Sequence, residues 1–93
     1  MDIEFDPAKN AANIRERGLP FTLAAEFDFE NALIRVDNRR DYGETRFRGI
    51  GPLDGRIHVL VFVEIASGIR VISFRKANKR EVRDYERTFH SQP

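Results

Sequence analysis

The sequence predicts an α+β domain of order β-α-α-β-β-β-β-α, an antiparallel meander sheet with two N-terminal helices on one face and a C-terminal helix. Three observations carry this. Helix start and stop signals cluster before residue 28, strand patterns fill residues 32–75, and a second helix start follows the last strand. Strands joined by short turns pair antiparallel with their neighbours. Each early helix carries an apolar stripe that needs a sheet face to cover it.

Asp2 to Phe5 reads as a short first strand. Asp6-Pro7 starts a helix: the carboxylate caps, and proline at the first helical position gives up an N–H that has no partner there. The helix runs over 8–17, with Ala8, Ala11 and Ile14 facing inward, and Gly18 ends it. Pro20 opens a second short helix, Phe21 to Phe27, with Phe21, Ala24 and Ala25 as its inner positions. Residues 32–37 alternate as a half-buried strand. Residues 38–44 form a charged, mobile loop. A strand over 45–53 is interrupted by Gly49, Gly51 and Pro52, which predicts a bulge or bend. Asp54-Gly55 is a hairpin turn. In the strand 56–65, Ile57, Val59, Val61, Val63 and Ile65 line one face; Arg56, His58, Leu60, Phe62 and Glu64 line the other. Ser67-Gly68 leads to the last strand, 69–75. Asn78 and Glu81 are spaced as a capping box for a helix over 79–89, whose Val82, Tyr85 and Phe89 share a face. Ser91-Gln92-Pro93 reads as a frayed tail.

The 93 residues make a single domain, 1–93. Hydrophobic residues are 41% and Phe occurs eight times, enough for a small core. The absence of Cys excludes disulfide scaffolds and thiolate sites, and two His are too few for a His-rich metal site. The expectation is no metal and no cofactor. The start lacks a secretory pattern and the longest apolar run, Val59 to Val63, is far too short to cross a bilayer, so a cytoplasmic protein away from membranes is expected.

Net charge is +1 but unevenly spread. Residues 1–34 carry three cations and seven anions, whereas residues 35–93 carry thirteen cations and eight anions. The segment Arg70 to Arg87 holds seven cations against three anions. A strand end and helix start so rich in Arg and Lys suit a phosphate. The alternative is a solvated helix laced with ion pairs such as Arg80–Asp84.

Three segments carry a resemblance. They are Phe5-Asp6-Pro7-Ala8-Lys9 with Asn13 and Gly18; Gly43 to Gly51 followed by Asp54-Gly55-Arg56; and Arg70 to Ala77 with Glu81 and Tyr85. In this order they resemble the BrnT toxins of bacterial type II toxin–antitoxin systems, over nearly the whole chain. Phe5 stands where that family commonly has Trp, a smaller stacking surface. The resemblance implies a RelE-like ribonuclease fold, cleavage of RNA that inhibits translation, and neutralisation by a BrnA-like antitoxin that itself binds operator DNA.

Metal-free RNA cleavage needs the 2′-OH deprotonated, the phosphorane stabilised and the leaving oxygen protonated. Arginine suits the middle task, because its planar, permanently charged guanidinium grips two phosphate oxygens. With the family as guide, Arg46 and Arg75 are the predicted phosphate-stabilising groups, and Arg80 and Tyr85 complete the catalytic set. Phe5, Arg48, Arg56, Arg70 and Lys79 are the predicted RNA-binding residues. Each has a structural reading beside it: strand-edge or hairpin charges for the arginines, salt-bridged surface for Lys79 and Arg80, core packing for Tyr85. Arg46, Arg48 and Ile50 share a strand face, and strict alternation puts Arg75 with Ser73 and Val71. His58 reads as a satisfied sheet-face histidine, and Glu44 as a possible base or an ion-pair partner of Arg46. The alternative function is a decayed toxin: a non-catalytic RNA- or antitoxin-binding domain acting in autoregulation.

Overall fold

The computed structural model describes residues 1–90, so the tail Ser91–Pro93 lies outside the described residues. Five strands form one sheet: β1 (Asp2–Glu4), β2 (Leu33–Val36), β3 (Phe47–Leu53), β4 (Arg56–Ile65) and β5 (Gly68–Lys76), in spatial order β1-β5-β4-β3-β2. Strands β2 to β5 make the expected antiparallel meander. The sheet as a whole is mixed, because β1 lies parallel to β5. A parallel pair needs a long crossover, which the chain between these two strands supplies. The approach is so close that a Cβ on Gly68 would sit 2.1 Å from the Asp2 carbonyl oxygen.

Helix α1 (Pro7–Arg17) starts and stops on its predicted signals. The Asp6 carboxylate accepts from the Ala8 N–H, and Gly18 is left-handed at φ 65°. Its predicted inner face is corrected. Ala8, Ala11 and Ile14 are exposed, Ile14 by 43%, and the helix's one buried residue is Asn13. Polar bonds rather than an apolar stripe hold this helix. Asn13 Nδ2 donates to the carbonyls of Leu19 and Phe74, and Asn10 Oδ1 accepts from the Phe21 N–H.

The second predicted helix, Phe21 to Phe27, is a 3₁₀ segment, Phe21–Glu26, and a further 3₁₀ turn, Phe29–Asn31, follows beyond its expected end. Phe21, Ala24 and Phe27 are buried at three-residue spacing, which a three-residue turn aligns and an α-turn does not. Ala25, an expected inner position, is exposed. These segments lay Phe21, Ala24 and Phe27 on Leu60, Phe62, Val71 and Phe74 to make the main core.

The Asp54-Gly55 turn has positive φ at both residues, 50° and 76°, as a tight hairpin requires. A bulge interrupts the β4–β5 ladder: Val61 pairs with Ser73 but Phe62 pairs with Val71, leaving Ile72 as the extra residue. This corrects the alternation expected for β5. Val71 turns to the core face beside Phe74, while Arg70 pairs with Val63 and joins Ser73 and Arg75 on the opposite face. The C-terminal helix α2 (Lys79–His90) lies on that second face, where Ala77 and Tyr85 pack on Ile50 and Val59.

Replacing Asn13 with Ala strips a donor from two carbonyls in a buried setting. The expected cost is about 2 kcal/mol. Urea unfolding checks it, with a lower midpoint and an unchanged m-value.

Candidate functional site

Helix α2 covers only part of the second sheet face. The rest is an open groove of about 160 Å³ lined by Arg39, Tyr42, Arg46, Arg48, Ser73 and Arg75, with Asp37 and the β4 valines. A second hollow of about 170 Å³ adds Arg35 and shares Arg39 and Arg48 with the first. Register explains the gathering. Arg35 pairs with Arg48 across β2–β3, and Arg48 with Val61 across β3–β4. The bulge then brings Arg70 round to the side of Arg75.

Three carboxylates hold five guanidiniums in and beside this groove, with Arg70, Glu44 and Glu81 joined to its lining residues through their ion pairs. Glu81 is the most constrained. Its backbone N–H donates to Asn78 Oδ1 and its Oε1 accepts from the Asn78 N–H, both at 2.9 Å, so the predicted capping box forms. The same carboxylate accepts from Arg75 Nη1 and Nη2 at 2.8 and 2.9 Å, and from Arg48 Nη2 at 2.5 Å. Its residue is only 6% exposed. The Arg75 hydrogen bonds, helped by the Asn78 N–H and the Arg48 charge, outweigh burial and hold the Glu81 carboxyl down to about 2. Glu81 in turn raises the Arg75 pKa, against burial and the nearby charge of Arg39.

The 38–44 loop is pinned rather than free. Asp37 follows β2 and is buried; its carboxylate accepts from Arg39 Nε and Nη2 at 2.8 Å and from the Tyr42 hydroxyl at 3.3 Å. Its pKa falls to about 2, first through the Arg39 hydrogen bond. Its backbone N–H bonds the Arg46 carbonyl at 2.7 Å, and the Asp41 carboxylate caps the turn at Gly43. Glu44 then accepts from Arg70 and from Arg46 Nε, the latter at 3.1 Å. Those two bonds, Arg70's first, lower the Glu44 pKa. The Arg46 guanidinium lies 4.2 Å from the Tyr42 ring centre, a cation–π contact.

The structure therefore brings together Arg46, Arg48, Arg70 and Arg75. It does not bring the other predicted residues to them. Lys79 and Arg80 are exposed on the first turn of α2. The expected Arg80–Asp84 pair gives way to Arg87–Asp84 at 3.6 Å, which puts the cation nearer the helix C-terminus, where the dipole favours it. Tyr85 is buried: its hydroxyl donates to the Asn31 carbonyl at 2.6 Å, its ring stacks on Phe89, and burial raises its pKa. Phe5 is on the core face, edge-to-face with Phe21. Arg56 lies with His58 at a separate cavity. His58 is the satisfied histidine expected, with Nδ1 2.8 Å from the Arg56 carbonyl oxygen.

Sequence reasoning missed Arg39, Tyr42 and Asp37, because it treated their loop as mobile. The available signal was the Asp41-x-Gly43 turn pattern, which marks an ordered reversal. It also read Glu81 only as a cap. Among the described residues no group of three or more His, Cys, Asp or Glu is placed to hold a metal, and no helix is long and apolar enough to cross a membrane.

A family model described as "Ribonuclease toxin, BrnT, of type II toxin-antitoxin system" matches residues 5–81. No curated protein matches the chain.

Glu81 sets a pH dependence. Its folded pKa, about 2, lies below the ordinary 4.5, so its contribution is present above that ordinary value and is lost as pH falls through the folded one. Glu81→Gln is expected to lower stability at pH 7 by about 1–2 kcal/mol, a modest figure because both arginines are partly exposed. Denaturation from pH 7 down to pH 2 should show the gap from wild type narrowing. A gap constant with pH would mean that the carboxylate is not the linked group.

Proposed function

The chain belongs to the BrnT family of ribonuclease toxins of type II toxin–antitoxin systems, and from that premise we propose that the arginine groove is its RNA-cleaving site and works without a metal. One observation carries this reading: four predicted cations converge on one open face with donors to spare. Arg75 meets Glu81 end-on through Nη1 and Nη2, which leaves its Nε edge for a phosphate. Arg46 spends only Nε on Glu44, which leaves both Nη groups.

On this reading Arg46 and Arg75 clamp the scissile phosphate, and Arg48 and Arg70 neutralise its neighbours. Glu44 takes the proton of the 2′-OH. It is the most accessible of the three groove carboxylates, with its side chain 29% exposed against 2% for Asp37 and 8% for Glu81. The 2′-oxygen attacks phosphorus, the bond to the 5′-oxygen breaks, and that oxygen takes a proton from solvent. The products are a 2′,3′-cyclic phosphate and a 5′-hydroxyl. Since its two arginine partners make Glu44 a weak base, most of the rate comes from charge stabilisation of the phosphorane. The carboxylate-bound arginines are preorganised for that task, because they need not reorient when charge develops.

The same reading makes RNA the substrate and a BrnA-like antitoxin the neutralising partner in a hetero-oligomer. Operator DNA is met only through that antitoxin, and the site of action is the cytoplasm. One feature favours a second reading, a non-catalytic domain that binds RNA or antitoxin: among the described residues no histidine lines the groove to move protons.

The deciding comparison is wild type against Arg75→Ala, scored by growth on induction and by integrity of total RNA in vitro with EDTA present. Wild type is expected to arrest growth and fragment RNA despite EDTA. Arg75→Ala is expected to cut about 10²–10³-fold more slowly, the effect of losing one charge-stabilising donor, while keeping its circular dichroism. Intact RNA after incubation with wild type would remove the enzyme reading and leave the binding one. A second comparison concerns the base: Glu44→Gln should slow cleavage while leaving the affinity for uncleavable RNA within a few-fold of wild type.

A further inference from the structure

The groove does not end at Arg75. Arg75 also lines a cleft of about 450 Å³ between the end of α1 and the end of β5, together with Arg17 and Lys76. Lys76 and Leu19, from that cleft, also line a cavity of about 590 Å³ on the other side of the sheet end. Three hollows thus share walls in sequence: groove to cleft through Arg75, cleft to cavity through Lys76 and Leu19. At every junction or wall there is a cation, Arg75, then Arg17 and Lys76, then Arg56.

The far cavity differs in chemistry from the groove. Leu19, Leu23 and Leu53 give it apolar walls, and Arg56 and Lys76 stand beside Glu26 and Asp54. His58 lines it as well, with Nδ1 committed to the Arg56 carbonyl. Apolar walls take the face of a base, carboxylates accept from its exocyclic amine, and cations take the flanking phosphate. A groove alone, all guanidinium and carboxylate, holds phosphates but offers a base little to lie against beyond Tyr42.

We propose that these three hollows form one track for single-stranded RNA, running from the arginine groove over the end of the sheet past Arg17 and Lys76 into a nucleotide-binding cavity at Arg56 and His58. The proposal deepens the ribonuclease reading and rests on RNA being the groove's ligand. The track explains a cation at Arg56 that lies outside the groove. It also gives the helix-covered side of the molecule a part in substrate binding. Arg17 has a second duty in the fold, since it donates to Asn13 Oδ1 at 3.1 Å, so Lys76 and Arg56, both exposed, are the residues to vary.

The test measures binding of fluorescent 2′-O-methyl RNA, which cannot be cut because its 2′-oxygen is blocked. A trinucleotide and a nonanucleotide are titrated into wild type, the Lys76→Ala/Arg56→Ala double variant and Arg15→Ala, over a range of salt. Arg15 is an exposed cation on α1 outside all three hollows. Wild type should bind the longer oligomer at least tenfold more tightly than the shorter one. The double variant should lose most of that gain, and its salt slope on the nonanucleotide should flatten by roughly 1.4, at about 0.7 per phosphate on a single strand. Arg15→Ala should keep the gain. The track is overturned if the double variant keeps the gain, if Arg15→Ala loses as much, or if wild type shows no gain on lengthening. RNA cleavage is scored separately. A protein that cuts RNA but shows no gain retains its ribonuclease reading and loses the track, whereas one that shows the gain but leaves RNA intact does the reverse.

Discussion

The Glu81 carboxylate is the joint on which the rest of this structure depends. It closes the N-terminus of α2 through Asn78 and receives both Arg75 from β5 and Arg48 from β3. A buried carboxylate is costly unless hydrogen bonds and opposite charge compensate it, and here four accepted bonds do so in one place. The helix is thereby fixed on the second sheet face at the same point that aims two of the groove's guanidiniums. Folding and site geometry are the same interaction.

The two faces of the sheet solve different problems. One is a conventional apolar layer, with Phe21, Phe27, Leu60, Phe62 and Phe74 at its centre. The other is apolar under α2, where Ile50, Val59, Ala77 and Tyr85 meet, and at Val61 and Ile72 on the groove floor, and it is the face that carries the groove arginines. A chain of 93 residues has little core to spare, so polar contacts replace apolar ones at its margins. Asn13 and Asn10 latch α1, Tyr85 ties α2 to the Asn31 carbonyl, and Asp37 pins the 38–44 loop.

Charge balance in the groove matters for what it does. Five guanidiniums share three carboxylates, and Arg35 stands alongside. The surplus is positive, which attracts a polyanion, yet each arginine that faces the groove is held by a partner. Fixed donors stabilise developing charge better than mobile ones, because no reorganisation accompanies the reaction. On the proposed reading, this links membership of a ribonuclease toxin family to an arrangement otherwise describable as a network of ion pairs.

Local signals in the sequence determined the elements and most of their ends. The Asp6 cap, Gly18 stop, Asp54-Gly55 turn and Asn78/Glu81 box each act through neighbours a few residues away, so each was legible, and the three family segments were legible as motif. What depends on partners far along the chain was not. The parallel seat of β1 requires β5, and the 3₁₀ form of 21–26 requires a sheet surface that takes every third residue. Asn13 is buried because carbonyls at Leu19 and Phe74 await it. A single bulge at Ile72 reversed the side of Val71 and Arg70, so the gathering of Arg70 with Arg46, Arg48 and Arg75 was decided only when the strands paired. Sequence spacing sets which way a side chain points along its own strand; only tertiary packing sets what stands opposite it.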